Sequence, residues 1–360
     1  MLTRTVAMHH VRAAVRGAES AGFDVSTLLE HAGIAPGLLG VDRARVSTEQ
    51  FARLVQQLWL VLDDEFIGFG PGRSKVGTFA MMCHASVHCS KDLRGALRRA
   101  AEFYALFPAG PEFRLVEDAE SPAEARIEFG DGIHRADPEH FRAETLLIVA
   151  HRFSGWLIRR RIPLHRVQLG YAAPPHVLEY DLLFGAPCVF GAPTTALVFD
   201  RALLNEPVLQ DEAGIAAFLR RAPQDVLARI DYGSTTAARV RRLVGQSLPG
   251  PDSPGPRTGG PAAAATTGLL PTEADLAERL AVSPQTLRRR LAAEGTSFQQ
   301  IRDQMRRDHA IASLAQGRTP IEQISAQLGF SEPSAFHRAF KRWTGSTPRA
   351  YHPGEPPNGT

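Results

Sequence analysis

The chain has 360 residues, 44% of them hydrophobic and 22% charged, with a formal net charge of +3; this is the balance of a soluble globular protein with room for two domains. The most apolar run, LLIVA at 146–150, is far too short for a membrane span, and Cys83, Cys89 and Cys188 form no CxxC, which argues against a transmembrane protein and a disulfide scaffold. The opening MLTRTVAMHHVRAAVRGAES lacks a continuous apolar core, so a cytoplasmic protein with reduced thiols, and no membrane partner, is expected.

Charge becomes informative when divided along the chain. Residues 1–233 carry 25 Lys and Arg against 28 Asp and Glu, a balance of −3, whereas residues 234–360 carry 16 against 10, a balance of +6. The basic last third suggests a polyanionic partner, although a merely basic surface would give the same count.

In chain order, residues 8–34, 47–62 and 91–106 show helical periodicity. FRLVED (113–118) and ARIEFG (125–130) alternate like a hairpin. Asp137-Pro138 predicts a cap and first helical residue. The long helix it opens has Leu146, Val149, Ala150, Phe153 and Leu157 on one face and closes on Arg159-Arg160-Arg161 before Pro163, where basic groups suit the helix dipole. RVQLGYA (166–172) and TALVFD (195–200) are further strands. Helices interleaved with short strands predict an α+β domain over 1–208. A connector follows at 209–233, and TTAARVRRLVGQ (235–246) reads as a short amphipathic helix. LPGPDSPGPRTGGPAAAATT (248–267) has almost no large apolar residue and is expected to be a disordered loop.

Beyond it the sequence repeats itself. LAERLAVSPQTLRRRL (276–291) aligns with ISAQLGFSEPSAFHRAF (324–340): Leu276 with Ile324, Leu280 with Leu328, Val282 with Phe330 and Ser283 with Ser331 at an offset of 48. Leu287 then matches Phe336, Arg289 matches Arg338 and Leu291 matches Phe340 at an offset of 49, so one residue is inserted in the turn. Each copy reads as helix, tight turn, helix. Ser283 caps and Pro284 opens the second helix of the first copy; Gly329 supplies the positive φ that turns the other. Apolar residues face inward, leaving Gln285, Arg288 and Arg289, and Pro333, Ser334, His337 and Arg338, outward. Such faces suit a DNA major groove, where Arg reads guanine and other basic groups take phosphates. SFQQIRDQMRRDHAIASLAQG (297–317) predicts a stiff helix between the copies, able to set two reading heads in successive major grooves about 34 Å apart.

These residues resemble the AraC/XylS transcriptional regulators over about 235–352. IEQISAQLGFSEPSAFHRAFKRWTGSTPRAY (321–351) is similar to the family's C-terminal signature, and LAERLAVSPQTLRRRLAAEGTSFQQIRDQMR to its other head and linker. The resemblance implies base contacts at Gln285, Arg288 and Arg289, and at Pro333, Ser334, His337 and Arg338. Pro333 stands where the family usually has a polar residue, and 248–267 falls where it has a short turn, which implies a disordered insertion within the DNA-binding domain rather than an interdomain linker. Three pieces of the N-terminal region, VSTEQFARLVQQLWLVLDDEFIGFGPG (46–72), KDLRGALRRAAEFY (91–104) and LLFGAPCVFGAPTTALVFDRALLNEPV (182–208), resemble an arabinose-binding-like module. That resemblance implies an effector-binding or dimerisation domain, without making arabinose the effector.

Other constellations carry less. CHASVHC (83–89) could suit zinc or a redox switch, but His84 and His88 share a helix face that Cys83 and Cys89 do not join well, and small residues packing a helix is the better reading. These residues could also line an effector pocket. Arg94 and Arg98 could clamp an anion, yet a solvated basic face is the plainer account; His9 and His10 read as surface residues. Without HExxH, GxSxG, a P-loop or GxGxxG, no enzyme, cofactor or metal is expected.

The sequence therefore predicts an α+β effector domain and an all-α domain at 234–353 with two helix-turn-helix motifs (273–292 and 321–342) joined by a linker helix (297–316). Its partners would be double-stranded DNA, a small-molecule effector of unknown identity, a second copy of the chain and RNA polymerase. A constitutive DNA binder whose first domain only dimerises, an enzyme with a regulatory tail and a cupin-like N-terminal barrel are the alternatives; the long helix near 137–161 disfavours the barrel.

Overall fold

The computed structural model describes residues 5–117, 121–134, 137, 139–223, 235–248 and 270–352. All but Leu248 of the predicted insertion 248–267, and residues 224–233 of the connector, lie outside the described residues. The chain divides into two compact units that do not follow chain order. One gathers Ala13–Val25 and Leu54–Gly233; the other joins Met1–Arg12 and Ser26–Arg53 to Ser234–Thr360.

The elements up to residue 221 are β1 (Thr5–Ala7), α1 (Met8–Ser20), α2 (Val25–His31), β2 (Arg45–Ser47), α3 (Thr48–Leu62), α4 (Thr78–His88), α5 (Leu93–Tyr104), β3 (Phe113–Val116), β4 (Glu124–Phe129), α6 (Phe141–Leu157), β5 (Leu164–Leu169), α7 (Leu178–Phe184), β6 (Cys188–Phe190), β7 (Thr195–Asp200) and α8 (Glu212–Arg221). The four predicted strands are present; the three-residue strands β1, β2 and β6 are too short to show a period of two.

The α/β unit is built on a five-stranded sheet of order β3-β4-β7-β5-β6. Pairings are antiparallel except β5 with β6, and the segment containing α7 makes the crossover a parallel pair needs. The central strand β7 buries Thr195 through Phe199, as a β-branched and aromatic run covered on both faces should. Leu93, Leu97 and Tyr104 of α5 and Leu147, Phe153 and Leu157 of α6 join Ile127, Val167 and Phe199 in one core.

Helix α6 departs from the sequence expectation at both ends. It starts at Phe141, with His140 at φ 59 in the cap position; Pro138 lies outside the described residues. Asp137 still serves the helix from further back, because its carboxylate accepts from the amides of Arg142 (2.8 Å) and Ala143 (3.2 Å). Burial raises the Asp137 pKa to about 6 against those bonds. The helix stops at Leu157, so the arginine triplet lies beyond its last turn, and Arg160 pairs with Glu206 instead. Of the expected solvated face, Arg98 is exposed and Arg94 half-buried, and both bind the Glu117 carboxylate, at 3.1 and 3.0 Å, together with Arg201 at 3.0 Å. His10, expected at the surface, is buried.

In the second unit, β1 pairs antiparallel with β2, and the long helix Phe298–Gln316 packs against both strands. Thr5 donates to Asp308 on that helix at 2.7 Å, and the Arg45 amide donates to the Tyr351 hydroxyl at 3.3 Å. His309, on the same helix, is 2% exposed, and its Nε2 has no hydrogen-bond partner among the described residues. Burial lowers its pKa to about 4. The imidazole is therefore neutral in the folded state at pH values where the unfolded chain takes up a proton, and stability contributed by this site falls as pH drops from about 6.5 to about 4. We expect chemical denaturation to show that loss at up to about 1.4 kcal/mol per pH unit, and His309→Leu to flatten the slope in that window relative to wild type. Equal slopes in the two proteins would show that His309 does not contribute.

Candidate nucleic-acid interface

Each predicted helix-turn-helix is present, and each is assembled from local chemistry. In the first, Thr272 and Asp275 form a reciprocal capping box: the Thr272 amide donates to the Asp275 carboxylate (2.8 Å) and the Asp275 amide to Thr272 Oγ1 (3.2 Å). The helix Glu273–Arg279 buries Leu276 and Ala277, and the chain then turns. Ser283 Oγ accepts from the Thr286 amide at 3.1 Å, Pro284 takes the first position, and the reading helix Pro284–Ala293 buries Leu287 and Leu291. Those side chains close a core with Val240, Val244, Ile301 and Met305.

The second motif pairs helices Ile321–Gln327 and Pro333–Thr344. Its core is aromatic: Phe330 and Phe336 lie 5.6 Å apart by ring centroids, Phe336 and Phe340 5.6 Å, and Phe340 and Tyr351 5.1 Å. Gly345, at φ 74, ends the reading helix, with its amide on the Lys341 carbonyl at 2.8 Å. Pro348 then opens the turn that buries Tyr351. Gly-x-Thr-Pro is thus a stop and a fold-back.

The two turns are the same turn. The Gly329 amide bonds the Ala326 carbonyl and the Phe330 amide the Ser325 carbonyl; 48 residues earlier Ala281 bonds Glu278 and Val282 bonds Ala277. This is the paired bonding of a Schellman stop, which needs a left-handed residue. Gly329 meets that need at φ 76, while Ala281 is held at φ 54. The extra residue of the second copy falls after this turn: Pro284 opens one reading helix and Pro333, 49 residues on, opens the other.

All seven predicted contact residues, Gln285, Arg288, Arg289, Pro333, Ser334, His337 and Arg338, are exposed on the reading helices. They are not equally available. Arg288 Nε donates to Glu273 at 2.6 Å, and Ser334 donates to Glu332 at 3.1 Å. Arg289 and Arg338 engage no ion pair among the described residues. Two basic residues had escaped the sequence reading. Arg302 and Arg306, four apart on the linker helix, line a groove of about 720 Å³ with Arg288, Thr272, Phe298 and Gly329. Arg306 sits 5.2 Å over the Phe330 ring and Arg302 5.7 Å over Phe298. The RDQMR spacing was the available signal.

Residues 22–208 match the arabinose-binding domain of AraC transcription regulators, N-terminal, and residues 276–353 match a helix-turn-helix domain. The chain belongs to the AraC family of transcription regulators. Among relatives of this AraC-type chain, the ornithine utilization regulator of Pseudomonas aeruginosa is 26% identical over 333 residues, covering 92% of this chain and 91% of the relative. The regulator VqsM of the same organism is 43% identical over 77 residues, 21% of this chain and 24% of the relative. The crystal structure of the P. aeruginosa regulator CdpR aligns over 82% of this chain and 96% of that one, at 19% identity and a TM-score of 0.30. These relatives are transcriptional regulators, and no helix among the described residues is long and apolar enough to cross a membrane.

Alanine at a left-handed φ is strained where glycine is not. Ala281→Gly is therefore expected to stabilise the DNA-binding fold of this regulator by about 0.5–1 kcal/mol, read from the urea midpoint. The reverse change at the equivalent turn, Gly329→Ala, should destabilise. No change in either variant would count against strain at this turn.

Proposed function

We propose that this AraC-family protein is a one-component regulator that reads an asymmetric DNA site with both heads and changes its DNA affinity when a small molecule binds residues 22–208. The observation that carries the DNA reading is the pairing of two matching turns with two exposed reading helices, each bearing an arginine with no ion-pair partner among the described residues. Arg289 and Arg338 read bases, assisted by Gln285 and Arg288 in one head and Pro333, Ser334 and His337 in the other. Arg302 and Arg306 hold the phosphate backbone between the heads. The exposed Arg288–Glu273 pair is worth about 0–1 kcal/mol, so DNA can displace the carboxylate.

The domain plan is an effector and dimerisation domain over 1–208, a connector and a reader over 234–353, with the chain acting as a homodimer on repeated sites and engaging RNA polymerase there. The effector acts by binding two states of the protein with different affinity, which is the only way it can shift their populations. One relative is named for ornithine utilization, so ornithine is the first compound to screen.

The test is binding of the full-length protein to genomic fragments selected by that protein, at fixed near-physiological salt with scrambled DNA as competitor. Arg289→Ala and Arg338→Ala should each cost about 1–3 kcal/mol at the selected site and little on scrambled DNA. Arg302→Ala and Arg306→Ala should weaken both alike and lower the salt dependence by about one unit of slope each. Equal losses on both DNAs for Arg289 and Arg338 would reduce them to phosphate contacts. Failure to select any sequence, with and without ornithine and related metabolites, would overturn sequence-specific reading.

A further inference from the structure

The CHASVHC stretch is not used by the DNA-binding function, and the structure divides it into two parts. Cys83 is fully buried, and burial pushes its thiol pKa far up, so it is a poor ligand and a poor nucleophile. His84 and His88 instead stand on the outer face of α4 with their rings nearly parallel, 5.8 Å apart at 20°. They meet Glu212, the first residue of α8, 124 positions further along the chain from His88. His84 Nδ1 is 3.3 Å and His88 Nε2 3.1 Å from the same carboxylate oxygen.

We propose that His84, His88 and Glu212 form a binding site for a borderline divalent transition-metal ion, with zinc the leading occupant. Three observations converge. The donors are of the right kind, two imidazole nitrogens and a carboxylate, a set that suits zinc and its neighbours rather than magnesium or calcium. Their spacing is also right, because the three ligand atoms all lie within 4.8 Å of one another. Zinc with ligands at about 2.0–2.1 Å holds adjacent tetrahedral donors about 3.3 Å apart, and the two measured nitrogen–oxygen edges are 3.1 and 3.3 Å. Small side-chain adjustments then admit the ion. Lastly, the backbone that carries the donors is pre-built: the pair at i and i+4 is set by α4, and the start of α8 at Glu212 is held by the cap that Asp211 makes with the Gly214 amide at 2.8 Å.

As an exposed ion pair the cluster would give the fold little; as a metal site it ties α4 to α8. Three protein ligands leave the fourth zinc position to water or to a donor atom from another molecule. The site lies within the α/β unit, so it adds an inorganic ligand to the domain assigned an organic effector. It stands independently of how the reading helices contact DNA.

The experiment uses untagged full-length protein, stripped with a chelator and dialysed. Zinc affinity is read by competition with a chromophoric chelator, and Co²⁺ serves as a spectroscopic stand-in. Wild type should bind one tight equivalent and give the visible absorption of tetrahedral Co²⁺. His84→Asn, His88→Asn and Glu212→Gln should each weaken that equivalent by more than the roughly 10–100-fold that a supporting outer residue is worth. Cys89→Ser and His165→Asn should bind as wild type does. All three donors are at least one-third exposed, so circular dichroism should show the variants folded. Unchanged affinity in the three donor variants, or loss of the site in Cys89→Ser, would overturn the proposal. So would a wild type that binds no tighter than the His84→Asn/His88→Asn double variant.

Discussion

The DNA-binding unit depends on burial along one helix, Phe298–Gln316. Ile301 and Met305, near its start, complete the core of the first head. Further along, Ala310, Ile311 and Leu314 are buried, and Arg306 reaches over Phe330 in the turn of the second head. Neither head is large enough to bury a sufficient core alone. Sharing one nineteen-residue helix meets that need and fixes the separation of the reading faces, since a helix of this length is about 28 Å long. Placing His309 in the same helix with its Nε2 unpartnered among the described residues makes that burial conditional on a neutral imidazole.

The turns show how one mechanical solution was reached with different residues. Both close through the same two carbonyl bonds, so both require a left-handed residue, yet only one has glycine. The apolar partners differ as well, leucine in the first head and phenylalanine in the second. What the copies share is geometry: the placement of an opening proline, two inward residues four apart, and an arginine two positions past the first of them.

This is why the DNA-binding unit was legible in the sequence. Its elements are signalled within a few residues by caps, prolines, a glycine and a period of four, and duplication at 48 and 49 removes the ambiguity of a single motif. The α/β unit was legible where the same conditions hold, as in β7, β4 and α5. It was not legible where a partner far along the chain decides. Arg94 looks solvated until Glu117 and Asn205 are beside it, and Asp137 looks like the start of α6 until His140 takes that place. The donor set at α4 needed Glu212, 124 residues from His88, and the strands β1 and β2 have too few residues to declare themselves. The union of the first residues with the last third in one compact unit is likewise a long-range fact with no local period.

Electrostatics sets the division of labour at the interface. A region with a net charge of +6 is drawn to any DNA, so what matters is the ratio of specific to non-specific binding. A carboxylate engages each reading helix: Glu273, which opens the preceding helix, accepts from Arg288, and Glu332, at the cap position of the second reading helix, accepts from Ser334. These carboxylates repel phosphate, and Glu273 occupies an arginine that would otherwise add to indiscriminate affinity. A matched base can compete for Arg288 by offering two acceptors in one plane, whereas a displaced counterion returns the same free energy on every sequence. With the base contact proposed for Arg288, the carboxylates would lower affinity for all DNA and lower it least where the bases match.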